Sequence, residues 1–273
     1  MGVDPRSPVT RNLNLFRERF DLPLLSLLIA CPTPSPGETG EPEDELSEAC
    51  GTEERVVTFE TEDGLTLEAD YAPAAAEGAP AIVLFHMNPE RYDRRGYTKA
   101  VRASLAERGA LLNVDRRGAG GSEGSARDAF EGEGGRLDME AAVDFLLGRE
   151  CSPDPERLFL VGASNGTTSV YDYMVAGRGD LPFPAAVVFL SPGSYTENQF
   201  PLEPVQADRG WSLSFPMLWI YPETEPYSDD FVADAPGAWK FVRHGDEHGT
   251  DMFDEGVLES ATMTEILAWV EAI

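Results

Sequence analysis

Two stretches of the chain match the pattern Gly-x-Ser-x-Gly: Gly120-Gly121-Ser122-Glu123-Gly124 and Gly162-Ala163-Ser164-Asn165-Gly166. A serine hydroxyl is a weak nucleophile, useful only where a turn presents it to a base that takes its proton. Local context separates the two copies, because a nucleophile elbow needs a strand directly before the serine and a helix directly after it. Ser164 follows the apolar run Leu158-Phe159-Leu160-Val161 and precedes a helical pattern that opens at Gly166. The flanking glycines permit the sharp turn and a close approach of strand and helix. Ser122 ends the string Arg117-Gly118-Ala119-Gly120-Gly121-Ser122, with no strand adjoining it and no helix expected behind it. Ser164 is the expected nucleophile and Ser122 a turn residue.

A base must come from only three histidines. His86 lies upstream of both serines, whereas His244 and His248 follow the last strand-like segment in Arg243-His244-Gly245-Asp246-Glu247-His248-Gly249. Where nucleophile, acid and base occur in that chain order, the histidine sits on a loop after the final strand. His244 comes at the strand end, too early to reach over a sheet, so His248 is the expected base. The imidazole then needs a carboxylate to fix its tautomer. Glu223, Glu225, Asp229 and Asp230 all follow the strand-like Met217–Tyr221. Placement before Pro226-Tyr227 favours Glu225, with Glu223 as the second choice. A metal held by His244, Asp246, Glu247 and His248 is a weaker reading, because a glycine-containing loop lacks the helical i, i+4 frame of metal-binding His-Glu-x-x-His. Neither a metal nor an organic cofactor is expected.

Composition narrows the substrates. Acidic residues outnumber Lys and Arg 49 to 21, for a formal net charge of −28. Such a surface repels phosphate backbones and polyanions, which disfavours nucleic acid and coenzyme A esters as partners. The glycine-rich loop Gly118–Gly124 also lacks the lysine of a phosphate-binding P-loop.

The elements that must position these residues alternate. Arg55–Glu60 and Leu65–Ala72 read as a hairpin around Glu62-Asp63-Gly64. Ala81–Phe85 is a continuous apolar run, as in a strand buried on both faces, and Ala110–Val114 and Arg157–Val161 read as a second and a third buried strand. Ala185–Leu190, Met217–Tyr221 and Trp239–Val242 are further short strands. Helical spacing marks Tyr97–Arg108, Arg136–Leu147, Gly166–Ala176 and a C-terminal face of Met263, Ile266, Leu267 and Val270. Alternation of this kind predicts an α/β domain with a mostly parallel central sheet and helices on both faces. Only about 25 residues, counted between Leu190 and Met217, are left for a cap. Phe200, Trp211 and Phe215 there are expected to wall an apolar acyl pocket.

Over Arg55–Ile273 the chain resembles the α/β-hydrolase superfamily, and within it the compact serine esterases of dienelactone-hydrolase and acyl-peptidase type. The resemblance is carried by Phe85-His86-Met87-Asn88-Pro89, by Asp115-Arg116-Arg117-Gly118-Ala119-Gly120-Gly121-Ser122, by the Ser164 elbow and by His248-Gly249. It implies that the backbone amides of Met87 and Asn165 hold the oxyanion, Met87 standing where such enzymes carry the glycine of a His-Gly pair. Dienelactone hydrolases proper use a cysteine nucleophile, and the superfamily's usual acid is Asp. This chain has Ser at the one place and Glu at the other. The implied activity is hydrolysis of a small ester, or an amide, through an acyl-enzyme intermediate. The alternatives are a serine peptidase of the acyl-peptidase type or an inactive binding protein on the same fold.

The first 30 residues read as an export signal. Arg6, Arg11, Arg17 and Arg19 precede an apolar run from Leu22 to Ala30, too short to span a bilayer but of signal-peptide length. The run ends Leu28-Ile29-Ala30-Cys31, resembling the lipobox of bacterial lipoproteins, in which the cysteine is lipidated. The expected protein is therefore exported and lipid-anchored at Cys31, with the membrane contacted through that anchor only. Residues 31–54 form an acidic tether, with eight acidic and no basic residues after Cys31. With Cys31 lipidated, Cys50 and Cys151 remain as an even pair available for a disulfide in an oxidising compartment.

Overall fold

The computed structural model describes residues 53–130, 133–149, 151, 153–192, 215–225, 238–254 and 256–273, with side chains described from 261 onward in the last segment. All of them belong to the unit Leu46–Ile273. The expected signal, its Cys31, the tether up to 52, Phe200, Trp211, Asp229 and Asp230 lie outside the described residues. Among the described residues no helix is long and apolar enough to cross a membrane.

The chain runs β1 (Arg55–Glu60), β2 (Thr66–Ala72), β3 (Pro80–Phe85), α1 (Lys99–Ala106), β4 (Ala110–Val114), α2 (Ala126–Phe130), α3 (Gly134–Leu147) and β5 (Asp154–Ala163). It continues with α4 (Gly166–Ala176), β6 (Ala186–Leu190), β7 (Met217–Tyr221), β8 (Trp239–Arg243) and α5 (Gly256–Ala272). The strands form one sheet in the order β1-β2-β4-β3-β5-β6-β7-β8. Strand β2 runs antiparallel to both neighbours, and every other pairing from β4 to β8 is parallel.

Period-2 alternation divides the core into two layers. Ala81, Val83 and Phe85 of β3 pack with Met139, Val143 and Leu146 of α3 and Val170 and Met174 of α4. Ile82 and Leu84, pointing the other way, pack with Val101 and Leu105 of α1 and Ile266 and Val270 of α5. All six β3 residues are buried, which explains why the strand reads as an unbroken apolar run. Each large side chain so buried contributes about 1.5–3 kcal/mol. Trp219 anchors the far half of the first layer, edge-on to Phe189 with centroids 5.3 Å apart and stacked on Phe241 at 5.6 Å.

Three details depart from expectation. A short helix, α2, does follow the first Gly-x-Ser-x-Gly stretch; with five residues and only Ala129 buried, it is too brief to create a periodic pattern. Strand β5 starts at Asp154, three residues before the expected start at Arg157, because Asp154 pairs with Pro80 while Pro155, Glu156 and Arg157 stay exposed. Phe215 lines no acyl pocket: it is buried in the first core layer, edge-on to Phe183 at 5.0 Å.

Registered pairs Phe85↔Gly162, Ala163↔Leu190, Leu190↔Ile220 and Tyr221↔Arg243 align the carboxyl ends of β3, β5, β6, β7 and β8 along one edge. In open parallel sheets this is the edge where ligands bind.

Candidate active site

Ser164 sits directly beyond β5, and α4 begins two residues later. Its backbone is left-handed at φ 49°, unusual for a residue with a Cβ. The strain is held by the surroundings. The Ser164 N–H donates to Leu190 O at 2.7 Å, and Ser164 O accepts from Thr167 N at 3.0 Å and Thr167 Oγ1 at 2.7 Å. Glycine is required on both sides by contact. A Cβ at Gly162 would lie 2.8 Å from Gly166 O, and one at Gly166 would lie 2.6 Å from His86 O and 2.7 Å from Phe85 O.

His248 leaves the loop after β8 and meets Ser164, with Nε2 2.7 Å from Oγ. Its other ring nitrogen, Nδ1, is hydrogen-bonded to Glu225 Oε1. The loops that carry Glu225 and His248 are stitched together by backbone bonds, Glu223 N to Gly245 O at 2.8 Å and His244 N to Tyr221 O at 3.2 Å. The His248 loop is also pinned where Gly249 N donates to the buried Ser191 Oγ at 2.9 Å. Gly249 is itself left-handed at φ 59°, and a side chain there would collide with the sulfur of Met87. Glu223 is exposed, and its charge acts on His244. His244 contacts Thr262 Oγ1 at 3.3 Å on α5. Ser122, the other motif serine, donates to Asp115 O at 2.6 Å and accepts from Glu68 N at 2.9 Å.

Met87 and Asn165 are both buried and flank the serine, one beyond β3 and one beyond Ser164. Neither backbone N–H meets an acceptor among the described residues. Two further groups, to which the sequence reading assigned no role, lie behind them. His86 is fully buried, and burial first, then the Arg116 charge, push its pKa down to about 3. It is therefore neutral: Nε2 accepts from Arg116 N at 3.0 Å, so Nδ1 carries the proton and donates to Met87 O at 3.0 Å. Arg116 is equally buried, and its guanidinium touches both sides of the site. A cleft of about 340 Å³ opens next to this loop, lined by Asn88, Glu90, Arg127 and Phe130. Away from the sheet edge, Cys151 is disulfide-bonded; its expected partner Cys50 lies outside the described residues.

No family model matches the chain, and no curated protein sequence does. Solved structures do. An esterase of Pyrococcus furiosus is similar over 81% of this chain and 91% of its own, with a TM-score of 0.59 at 15% identity. An alpha/beta hydrolase from a Penicillium species is similar over 81% of this chain and 98% of its own, with a TM-score of 0.55 at 16% identity. The chain has the α/β-hydrolase fold. Dipeptidyl peptidase 4 of Porphyromonas gingivalis contains the same fold over 35% of its length, matching 81% of this chain at a TM-score of 0.53 and 16% identity. Ser164, Glu225 and His248 occur along the chain in that order, on the loops that follow β5, β7 and β8.

Proposed function

We propose that the protein is a serine hydrolase that cleaves small carboxylic esters through an acyl-enzyme. The observation that carries this reading is the hydrogen-bond relay Ser164 Oγ, His248 Nε2, His248 Nδ1, Glu225 Oε1, beside two buried N–H groups lacking acceptors among the described residues. Ser164 Oγ attacks the ester carbonyl carbon as its proton passes to His248 Nε2, and Glu225 stabilises the imidazolium. The carbonyl oxygen becomes an oxyanion facing the Met87 and Asn165 N–H groups, each such donor contributing about 3 kcal/mol to the transition state. Collapse breaks the bond to the leaving oxygen, which takes the proton from His248 and departs as an alcohol. Water then gives a proton to His248, attacks the acyl carbon and releases a carboxylic acid, returning the proton to Ser164. No step needs a cofactor.

The test is the full-length protein against a panel of chromogenic acyl esters and peptide anilides, with fluorophosphonate labelling alongside. Ester turnover and labelling, both lost in Ser164→Ala, are the expected result. Anilide turnover exceeding ester turnover would favour the peptidase reading, to which the likeness to dipeptidyl peptidase 4 lends some weight. Absence of turnover and of labelling would favour the inactive binding protein.

We further propose that the protein is exported and lipidated at Cys31, anchored to a bacterial membrane with the domain facing the periplasm or exterior. Supporting this are the Leu28-Ile29-Ala30-Cys31 string and the disulfide at Cys151, a bond typical of oxidising compartments. One acyl chain anchors only marginally, whereas the two of a diacylglyceryl cysteine hold stably. Cys31→Ser is expected to move the protein from the membrane to the soluble fraction without changing ester turnover. An intact N-terminus beginning at Met1 in a cytosolic fraction would refute export.

A further inference from the structure

The Arg116 guanidinium is fully buried, and its hydrogen bonds go to neutral acceptors. Nη1 donates to Asn165 Oδ1 at 2.8 Å, Met87 O at 3.2 Å and His86 O at 3.4 Å. Nη2 donates to Ala129 O at 2.8 Å and Ser169 Oγ at 2.9 Å. Burial lowers its pKa to about 10, which still leaves it charged at neutral pH. Asp138, the carboxylate acting most strongly on it, is committed to Arg117, through Nε at 2.7 Å and the backbone N–H at 2.9 Å. A cation buried without a directly paired anion is costly, and a core of this kind would be more stable with an apolar side chain of similar volume. Its retention calls for a role other than stability.

We infer that Arg116 is a positioning residue for the oxyanion hole, locking its two halves to one another from behind. One nitrogen, Nη1, bridges the loop after β3 and the elbow after β5, the two segments that carry the Met87 and Asn165 amides. The peptide that presents the Met87 N–H has His86 O at its other end. A cation at that carbonyl polarises the peptide and strengthens the N–H as a donor. The Asn165 N–H belongs to the peptide of Ser164 O, which Thr167 polarises in the same way. Nη2, meanwhile, fixes the guanidinium plane to α2 and α4 through Ala129 O and Ser169 Oγ. A planar fork with several donors can span these acceptors; an ammonium cannot hold them all at once. His86 completes the arrangement, accepting the Arg116 N–H and holding Met87 O with its own proton.

This inference rests on the reading of Ser164 as nucleophile, so Ser164→Ala is measured in parallel. In full-length protein, Arg116→Lys and Arg116→Met are assayed with p-nitrophenyl acetate for kcat and KM, and with phenylboronic acid as a transition-state mimic. The expected result is a fall in kcat of roughly 10- to 100-fold with KM within about threefold, since a misplacement of ~1 Å costs a factor of that order. Affinity for phenylboronic acid should fall in parallel with kcat. Ser169→Ala keeps the charge and removes one anchor, and should lower kcat about threefold at unchanged KM. Folded Arg116 variants with unchanged kcat and boronic-acid affinity, or with a change in KM alone, would overturn the inference. If both Arg116 variants fail to fold, Ser169→Ala decides: a kcat-only loss supports positioning, and wild-type kcat overturns it. Activity surviving Ser164→Ala would instead overturn the nucleophile assignment, and this inference with it.

Discussion

The two Gly-x-Ser-x-Gly stretches share a pattern and use it for opposite ends. Around Ser122 the glycines turn the chain: Gly118, Gly120 and Gly124 all have positive φ, at 77°, 52° and 90°. The serine has an ordinary backbone, and its hydroxyl is spent on Asp115 O and Glu68 N, tying β2 to the end of β4. Around Ser164 the assignments are exchanged. The serine carries the left-handed conformation, and Gly162 and Gly166 serve to let β5, α4 and the end of β3 touch. Its hydroxyl meets no backbone acceptor among the described residues and faces an imidazole instead. Thus one motif spends its serine on structure, and the other spends structure to free its serine.

The sharpest way to break this contrast is to remove each hydroxyl. Ser164→Ala should cost about 10⁴-fold or more in kcat with little loss of stability. Ser122→Ala should leave kcat within about twofold and lower stability by roughly 1–2 kcal/mol, as two hydrogen bonds are lost. Ester kinetics paired with thermal melts would expose any crossing of these effects. Next in size is the acid partner: Glu225→Gln is expected to reduce kcat by about 10²–10⁴-fold, and Glu223→Gln, exposed, by less than about twofold. If Glu223→Gln proved the more damaging, the acid would have to be reassigned.

The glycines give a smaller effect. Gly166→Ala must displace the carbonyls of Phe85 and His86, so about 1–3 kcal/mol of stability should go, with kcat falling too. In the first motif, Gly121→Ala meets only the end of the Glu68 side chain, which must shift on its ion pair with Arg94, and should cost about 1 kcal/mol or less. Equal denaturation midpoints for the two variants would remove the distinction between touching and turning.

Confined to stability, and dependent on pH, is a difference between acids near each motif. Asp63, beside the first loop, is held below 3.8 mainly by its hydrogen bond to Arg117. Its folded pKa is depressed, so its stabilisation is present above the unfolded value and lost as pH falls through the folded one. Asp63→Asn should therefore destabilise at pH 7, and the deficit should close on acidification below about 4. Asp172, on the helix behind Ser164, is pushed up to about 7 by burial. The folded state binds its proton more tightly, so stability drops as pH rises from about 4 to 7. Asp172→Asn should stabilise by about 1–3 kcal/mol above pH 7, allowing for partial exposure, and by nothing near pH 4. Melting curves across pH 3–9 would reveal whether the two differences have opposite sign and separate windows, the first closing below about pH 4 and the second opening between about 4 and 7.

Much of this was legible in the chain itself, for reasons that can be stated residue by residue. Strands buried on both faces, such as Ala81–Phe85, must be apolar throughout, and they are. Few histidines and a fixed order of strands left little freedom in pairing His248 with Ser164. What escaped was whatever leaves no periodic trace. Helix α2 is barely more than one turn. The second edge of β2, antiparallel to β4, is a long-range choice that its own residues do not announce. Phe215 looks the same in a pocket wall as in a core. Arg116 was visible in its motif, but a charged residue in a glycine-rich loop reads as solvated surface; only burial reveals it as a brace.

The register of β3 against β5 has a consequence for how such a fold tolerates sequence change. Phe85 is paired with Gly162, so the chain leaves the sheet at Met87 and at Ser164–Asn165 from adjacent parallel strands. Their separation is set by the spacing between hydrogen-bonded strands, about 4.8 Å, which is a constant of peptide geometry and is indifferent to side chains. A ruler made of backbone is copied intact through any substitution that preserves the ladder. That is how a chain can keep its architecture in common with proteins at 15% identity. The architecture is written in spacing, and spacing outlasts spelling.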